Sequence, residues 1–337
     1  MKMQMNYIGS KYSLLSFITN TITNVVGGDL SDKVFCDIFA GTGIVGRTFK
    51  PMVKKVISND LEYYSYVINR NYLGISDDIP NKEDYIRQLN DIPLVDDGFI
   101  FQNYCLGSGS NRQYFSDNNG KRIDAARQQI QRWKNAGSIT DDVYYFLLCS
   151  LLESADKVAN TASVYAAFLK QLKRTADVDM IIKSAEFFAD GKQHDVYCED
   201  ANNLISNISG DILYLDPPYN SRQYGCYYHI LNTIAEYESF MPAGVTGQRQ
   251  YLRSDYCSKR TVKKSFESLI QNANFKYIFL SYNNEGLMTM DEIRQILSKY
   301  GKYDVISQQY HRFRADKEEN RNHKSDTTIE YIHILEK

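Results

Sequence analysis

The chain has 337 residues with 39 Lys and Arg against 41 Asp and Glu, a formal net charge of −2. That is long enough for a large core or two domains, and it lacks the diffuse positive charge of a protein that coats polyanions, although a local basic groove stays compatible with it. Six scattered cysteines without a CxxC pair and five histidines without an HExxH argue against a zinc site or a disulfide framework and for a reducing, cytoplasmic setting. Residues 1–6 carry no signal-peptide-like apolar stretch and no run is long enough to span a bilayer, so a soluble protein without a membrane partner is expected.

In chain order, the motif Asn6-Tyr7-Ile8-Gly9-Ser10-Lys11 precedes apolar residues at helical spacing (Leu14, Leu15, Phe17, Ile18, Ile22), which predict an amphipathic helix. Val34-Phe35-Cys36-Asp37-Ile38-Phe39-Ala40-Gly41-Thr42-Gly43-Ile44-Val45-Gly46 then reads as a strand, a glycine turn and a helix, the first unit of a nucleotide-type fold. Gly41 and Gly43 remove the Cβ atoms that would keep a ligand from the backbone. A second strand, Lys55-Val56-Ile57-Ser58-Asn59, ends at Asp60, 23 residues after Asp37, a spacing that suits ribose hydroxyls. The loop is not the full Gly-x-Gly-x-x-Gly of a dinucleotide site, and Asp37 and Phe39 crowd the place where phosphates would sit. S-adenosylmethionine, which has no phosphates, therefore fits better than NAD, and Tyr7 and Lys11 are candidates to face its methionine end.

Residues 75–195 read as an insertion. Within it, 111–122 is a polar, glycine-flanked loop holding Arg112, Lys121 and Arg122, followed by a helix from about Ile123 to Trp133. The segment 144–152 is apolar on nearly every face and predicts a buried helix rather than a reader of bases. Lys170, Lys173 and Arg174 are then candidates to face a phosphate backbone. Asp200, behind Tyr197-Cys198-Glu199, either accepts from a cofactor amine or caps the helix that begins at Ala201.

Ile212-Leu213-Tyr214-Leu215 is an apolar strand stopped by Asp216-Pro217-Pro218-Tyr219, which sets Asp216 at the carboxyl edge of a buried strand, where open parallel sheets bind ligands. An exocyclic amine on a nucleobase is a poor nucleophile because its lone pair is delocalised. A carboxylate (Asp216) and a carbonyl (Pro217) can accept its two hydrogens while Tyr219 stacks on the ring, a contact worth about 1–3 kcal/mol. Asn220-Ser221-Arg222-Gln223-Tyr224 follows at once, and Arg222 and Tyr224 are candidates to fill the gap left by an extruded base. Residues 249–264 hold Arg249, Arg253, Lys259, Arg260, Lys263 and Lys264 against one acid, with Tyr251 and Tyr256 interleaved, a pattern suited to nucleic acid. A strand at Tyr277-Ile278-Phe279-Leu280, a basic stretch with Arg312 and Arg314 in a terminal hairpin loop, and a closing antiparallel strand complete the chain.

The ordered motifs Asn6–Lys11, Asp37-Ile38-Phe39-Ala40-Gly41-Thr42-Gly43, Asp216-Pro217-Pro218-Tyr219 and Leu280-Ser281-Tyr282-Asn283-Asn284 resemble those of Dam-type, alpha-order N6-adenine DNA methyltransferases over most of the chain. The middle residue of Phe39-Ala40-Gly41 differs from many relatives, and the long insertion is hard to align with them. The resemblance implies a Rossmann-like, S-adenosylmethionine-dependent α/β sheet (1–74 and 196–337) carrying a largely helical target-recognition domain (75–195). It also implies a cofactor site lined by Tyr7, Lys11, Asp37, Phe39, Gly41, Gly43, Asp60 and Asp200, and a base pocket of Asp216, Pro217, Pro218 and Tyr219. No metal is implied. The implied substrate is adenine flipped out of double-stranded DNA, held by Arg112, Lys121, Arg122, Lys170, Arg222, Tyr224, Arg260, Arg312 and Arg314. A cognate restriction endonuclease, a monomer or a dimer, and the sequence recognised are all left open. So are N4-cytosine, RNA or protein-glutamine methylation, which relatives usually run with Ser or Asn in place of Asp216, and a catalytically silent DNA-binding module.

Overall fold

The computed structural model describes Met5, Tyr7, residues 9–311 and residues 327–337. Among the described residues seven strands form one sheet: β1 (Val34–Asp37), β2 (Lys55–Asn59), β3 (Asp195–Tyr197), β4 (Ser209–Leu215), β5 (Asn274–Asn283), β6 (Lys302–His311) and β7 (Thr327–Glu336). Their order is β3-β2-β1-β4-β5-β7-β6, parallel except that β7 runs antiparallel to both of its neighbours. The expected α/β architecture with an antiparallel closing strand is therefore present.

Strand order reverses at β1, which lies between β2 and β4, and open α/β sheets bind ligands outside the carboxyl ends of strands at such a switch point. Parallel register brings those ends level, with Asp37 opposite Ser58 on one side and Tyr214 on the other. Asp37, Asp60 and Asp216 thus converge on one edge although they lie far apart in sequence.

Two apolar layers cover the sheet. Leu14, Ile18 and Ile22, from the start and the body of α1 (Leu15–Val26), join Phe49 of α2 (Ile44–Phe49) and Phe35 of β1 on one side. Phe266, Leu269 and Ile270 of α11 (Val262–Asn272) and Ile293 and Leu297 of α12 (Met290–Leu297) cover the other, near the four-residue α8 (Ala201–Leu204).

A third core is helical. It joins α3 (Tyr63–Asn69), α4 (Lys82–Asp91), α5 (Phe99–Tyr104), α6 (Asp117–Asn135), α7 (Asp141–Val158) and α10 (His229–Glu236), the last preceded by the short α9 (Tyr224–Tyr227). As expected, residues 144–152 lie in a buried helix, α7. The helix expected from Ile123 begins earlier: Ser116 accepts from the Asn119 amide as its N-cap, so Lys121 and Arg122 belong to α6 rather than to a loop. Gly120 is there for proximity, since a Cβ on it would stand 2.3 Å from the Cys105 sulfur. Residues 159–194 contain neither helix nor strand.

Candidate active site

The glycine turn after β1 is built from outside. The Gly41 amide donates to Asp60 Oδ2 at 2.7 Å, and the Gly41 carbonyl accepts from Ser65 Oγ and, at 3.0 Å, from Asn69 Nδ2. Gly43 has φ +72°, and a Cβ on it would stand 2.2 Å from Asn69 Oδ1, so glycine is required for both backbone conformation and space. A Cβ on Gly41 would stand 2.9 Å from the Tyr7 ring, which itself stacks on Tyr228 at 5.0 Å and leans on Tyr224 at 5.7 Å.

Asp37 accepts the Gly46 amide on Oδ2 at 3.3 Å, while its buried Oδ1 has no hydrogen-bond partner among the described residues. Burial, with the nearby Asp216 carboxylate adding to it, pushes the Asp37 pKa up to about 8 against the opposing Gly46 amide and Lys11 charge. Lys11 and Asp216 form an ion pair at 2.7 Å with little exposure on either side. Burial opposes the lysine charge, yet the Asp216 carboxylate holds its pKa above the usual range; burial raises Asp216 despite Lys11. The Lys11 ammonium also lies 5.5 Å from the centre of the Tyr219 ring, which meets Tyr282 edge-on at 6.4 Å.

Lys11, Asp37 and Asp216 line one cleft. Among the described residues its lining includes six acids, Asp37, Asp60, Glu62, Glu199, Asp200 and Asp216, and one basic residue, Lys11, already paired. Phe39 meets Tyr256 edge-on at 4.9 Å to form an aromatic wall. Asp60 accepts two backbone amides, from Gly41 and Glu62, and burial raises its pKa. Burial and then the neighbouring Asp60 push Glu62 to about 7, against a hydrogen bond donated by Asn232 Nδ2 at 2.6 Å.

Tyr7, Lys11, Asp37, Phe39, Gly41, Asp60, Asp200, Asp216 and Pro218 all line the cleft. Gly43 faces Asn69, Pro217 is buried, and Tyr219 packs between Lys11 and Tyr282, none of them in that lining. Asp200 both lines the cleft and caps α8, accepting from the Asn202 and Asn203 amides. Tyr224 stands in the cleft wall beside Tyr7 rather than on an outer face.

Lys170, Arg222 and Arg260 are exposed. Lys121 pairs with Asp96, Arg122 donates to the Ile92 carbonyl, and Arg112 donates to the carbonyls of Asn103, Gly244 and Val245. Arg312 and Arg314 lie outside the described residues. Sequence reading missed Glu62, Gln223, Ser254 and Tyr256 in the lining. The first was detectable as a second acid two residues after Asp60; the others come from two segments joined only by long-range contacts, among them Gln223 Oε1 accepting from the Ser254 amide at 2.9 Å.

Comparison with known proteins agrees with this geometry. A family model described as D12 class N6 adenine-specific DNA methyltransferase matches residues 7–296. The chain is 60% identical over 333 residues to the type II methyltransferase M.NlaIII of Neisseria lactamica, covering 99% of each. It is 38% identical over 313 residues to the type II methyltransferase M.CviAII of Paramecium bursaria Chlorella virus 1, covering 93% of each. It is 35% identical over 350 residues to the type II methyltransferase M.FokI of Planomicrobium okeanokoites, covering 99% of this chain and 53% of that one. The protein belongs to the D12 class of N6 adenine-specific DNA methyltransferases.

Proposed function

We propose that the acidic cleft holds S-adenosylmethionine and presents the target adenine to Asp216-Pro217-Pro218-Tyr219. The observation that carries this reading is the composition of the lining: among the described residues, six carboxyl groups against one paired lysine, with Asp37 and Glu62 held near neutral pKa and able to ionise beside a cation, favour a cationic ligand over phosphates, so a dinucleotide is disfavoured. The fit extends to atoms, since the buried Asp37 Oδ1 lacks a hydrogen-bond partner among the described residues. Asp37, with Tyr7 and Lys11 near it, is placed for the charged amino-acid end; Asp60 is placed for the ribose hydroxyls, and Asp200, Phe39 and Tyr256 for the adenine ring. When bound, the cofactor supplies an electrophilic methyl group on a sulfonium sulfur.

The chain's part is alignment. Asp216 accepts one hydrogen of the target amine and the Pro217 carbonyl the other, which lends the nitrogen tetrahedral character. Lys11 favours the ionised form of Asp216 against the burial that opposes it. Tyr219 faces the base, and the surplus proton of the methylated amine leaves to Asp216 or to water. Lys170, Arg222 and Arg260 supply salt-sensitive phosphate contacts, with Arg312 and Arg314 expected to add to them. The 75–195 segment supplies base recognition. The relatives named type II methyltransferases support a place in restriction–modification, with a cognate endonuclease as companion.

The test is transfer of radiolabelled methyl to unmethylated plasmid DNA followed by nucleoside analysis, with calorimetry of S-adenosylmethionine binding. Label is expected in N6-methyladenine. Asp216→Ala and the isosteric Asp216→Asn are expected to lose transfer by about 10²-fold or more while retaining cofactor binding. Label in N4-methylcytosine, or an Asp216→Asn variant that methylates at the normal rate, sinks the assignment.

A further inference from the structure

Residues 241–248 form a turn, joined through Gln248 to Cys226 on the stretch that follows the cleft residues Gln223 and Tyr224, that the methyl-transfer reading leaves unused. Ala243 and Gln248 pair by two backbone hydrogen bonds of 2.9 and 2.8 Å, and Gly244 and Gly247 both take φ +67°. The turn is tied down from several sides. Arg112 donates to the Val245 carbonyl at 3.1 Å and the Gly244 carbonyl at 3.0 Å, with a third bond to Asn103 at 3.2 Å, and Tyr104 Oη donates to the Gly247 carbonyl at 2.7 Å. A Cβ on Gly247 would stand 2.7 Å from Arg112 Nε, so the guanidinium lies directly against the turn. Gln248 Nε2 reaches the Cys226 sulfur at 3.1 Å, fastening the far side to the stretch behind Asp216.

What this scaffold presents is apolar. Met241 is 90% and Val245 81% exposed. Scattered exposed apolar side chains are ordinary on protein surfaces and need no explanation. Here they sit on a turn whose backbone carbonyls occupy an arginine, which would otherwise be left in water.

We propose that this turn inserts its apolar tip, Met241 and Val245, into double-stranded DNA next to the extruded base. The surroundings favour DNA over a protein partner. The chain leaving the turn carries Arg253, Lys259, Arg260 and Lys264, all exposed and without an ion pair among the described residues. That same stretch returns to the cleft rim, where Ser254, Tyr256 and Cys257 are part of the lining and Gln223 clamps Ser254 through both of its backbone groups. Phosphates held by those cations bring a groove over the turn, and an apolar side chain pressed between base steps partially unstacks them, which lowers the cost of rotating a base outward. Arg112 acts as a positioning residue that keeps the tip erect.

The proposal rests on the DNA methyltransferase reading, and the experiment separates the two. Relaxed closed-circular plasmid is incubated with the full-length protein and topoisomerase I, and the linking-number change is compared for wild type and Met241→Ser/Val245→Ser, whose exposed sites leave folding intact. The double variant is expected to lose most of the unwinding, to bind plasmid within about twofold of wild type with the same salt slope, and to lose about tenfold in kcat with little change in KM for plasmid. Arg112→Ala is expected to lose part of the unwinding with Met241 and Val245 in place. A double variant that unwinds as well as wild type, or a wild type that does not unwind plasmid, overturns the insertion. If wild type transfers no methyl to adenine, the functional reading falls instead.

Discussion

At the scale of single residues, the Lys11–Asp216 ion pair joins a stability question to the chemistry proposed for Asp216. Removing one member of a buried pair leaves a desolvated charge and costs about 3–5 kcal/mol. Asp216→Ala is therefore expected to lower the melting temperature as well as activity. Lys11→Met/Asp216→Ala should recover most of the melting temperature and none of the methyl transfer; recovery of transfer would show that the carboxylate is dispensable. Glu62 makes a different prediction. Its folded pKa of about 7 lies above the value of 4.5 for a free side chain. Its contribution to stability is thus fully present below pH 4.5 and is lost as the pH rises through 7, where the fold must hold a buried carboxylate. Glu62→Gln removes this titration, so its melting temperature relative to wild type should climb between pH 4.5 and 7. A difference that stays flat across that range would show that Glu62 ionises freely.

At the scale of elements, the glycine turn is shaped by α3, whose Ser65 and Asn69 hold the Gly41 carbonyl while Asn69 fills the space beside Gly43. Asn69→Ala should free the turn without touching a ligand, weakening S-adenosylmethionine binding about tenfold in calorimetry while the far-ultraviolet circular dichroism stays the same. Unchanged affinity would mean that Asp60 alone holds the turn. The glycines and Asp37 were legible in the sequence because they follow an apolar strand at short range. Asn69 was not, because nothing local distinguishes it from any other polar residue of a helix. Arg112 shows the same limit from the other side: a basic residue in a polar stretch reads as a phosphate contact, whereas here three carbonyls occupy it.

At the scale of the whole molecule, charge is sorted rather than large. A net charge of −2 conceals an acidic cleft and an exposed cationic stretch from Arg253 to Lys264. In the proposed function, a neutral base enters the cleft while its phosphates stay outside on the cations. Packing unifies the chain as well, since helices of the 75–195 segment bury their apolar faces with Tyr64 and Val67 of α3 and with Ile230, Leu231 and Ile234 of α10. Such a shared core is expected to give one calorimetric transition with equal van't Hoff and calorimetric enthalpies. Two separated transitions would show that the segment folds on its own.

The sequence by itself determined strands β1, β2, β4, β5 and β7, the order of the motifs, the turn glycines and the acid at the head of Asp216-Pro217-Pro218-Tyr219, because apolar runs, proline stops and short spacings are local signals. Tertiary structure alone decided that Lys11 pairs with Asp216, that Tyr224 lines the cleft, that Arg112 braces a turn more than a hundred residues away, and that six acids face one cavity. Those contacts join segments remote in the chain, and parallel register at the sheet's switch point is what brings most of them together.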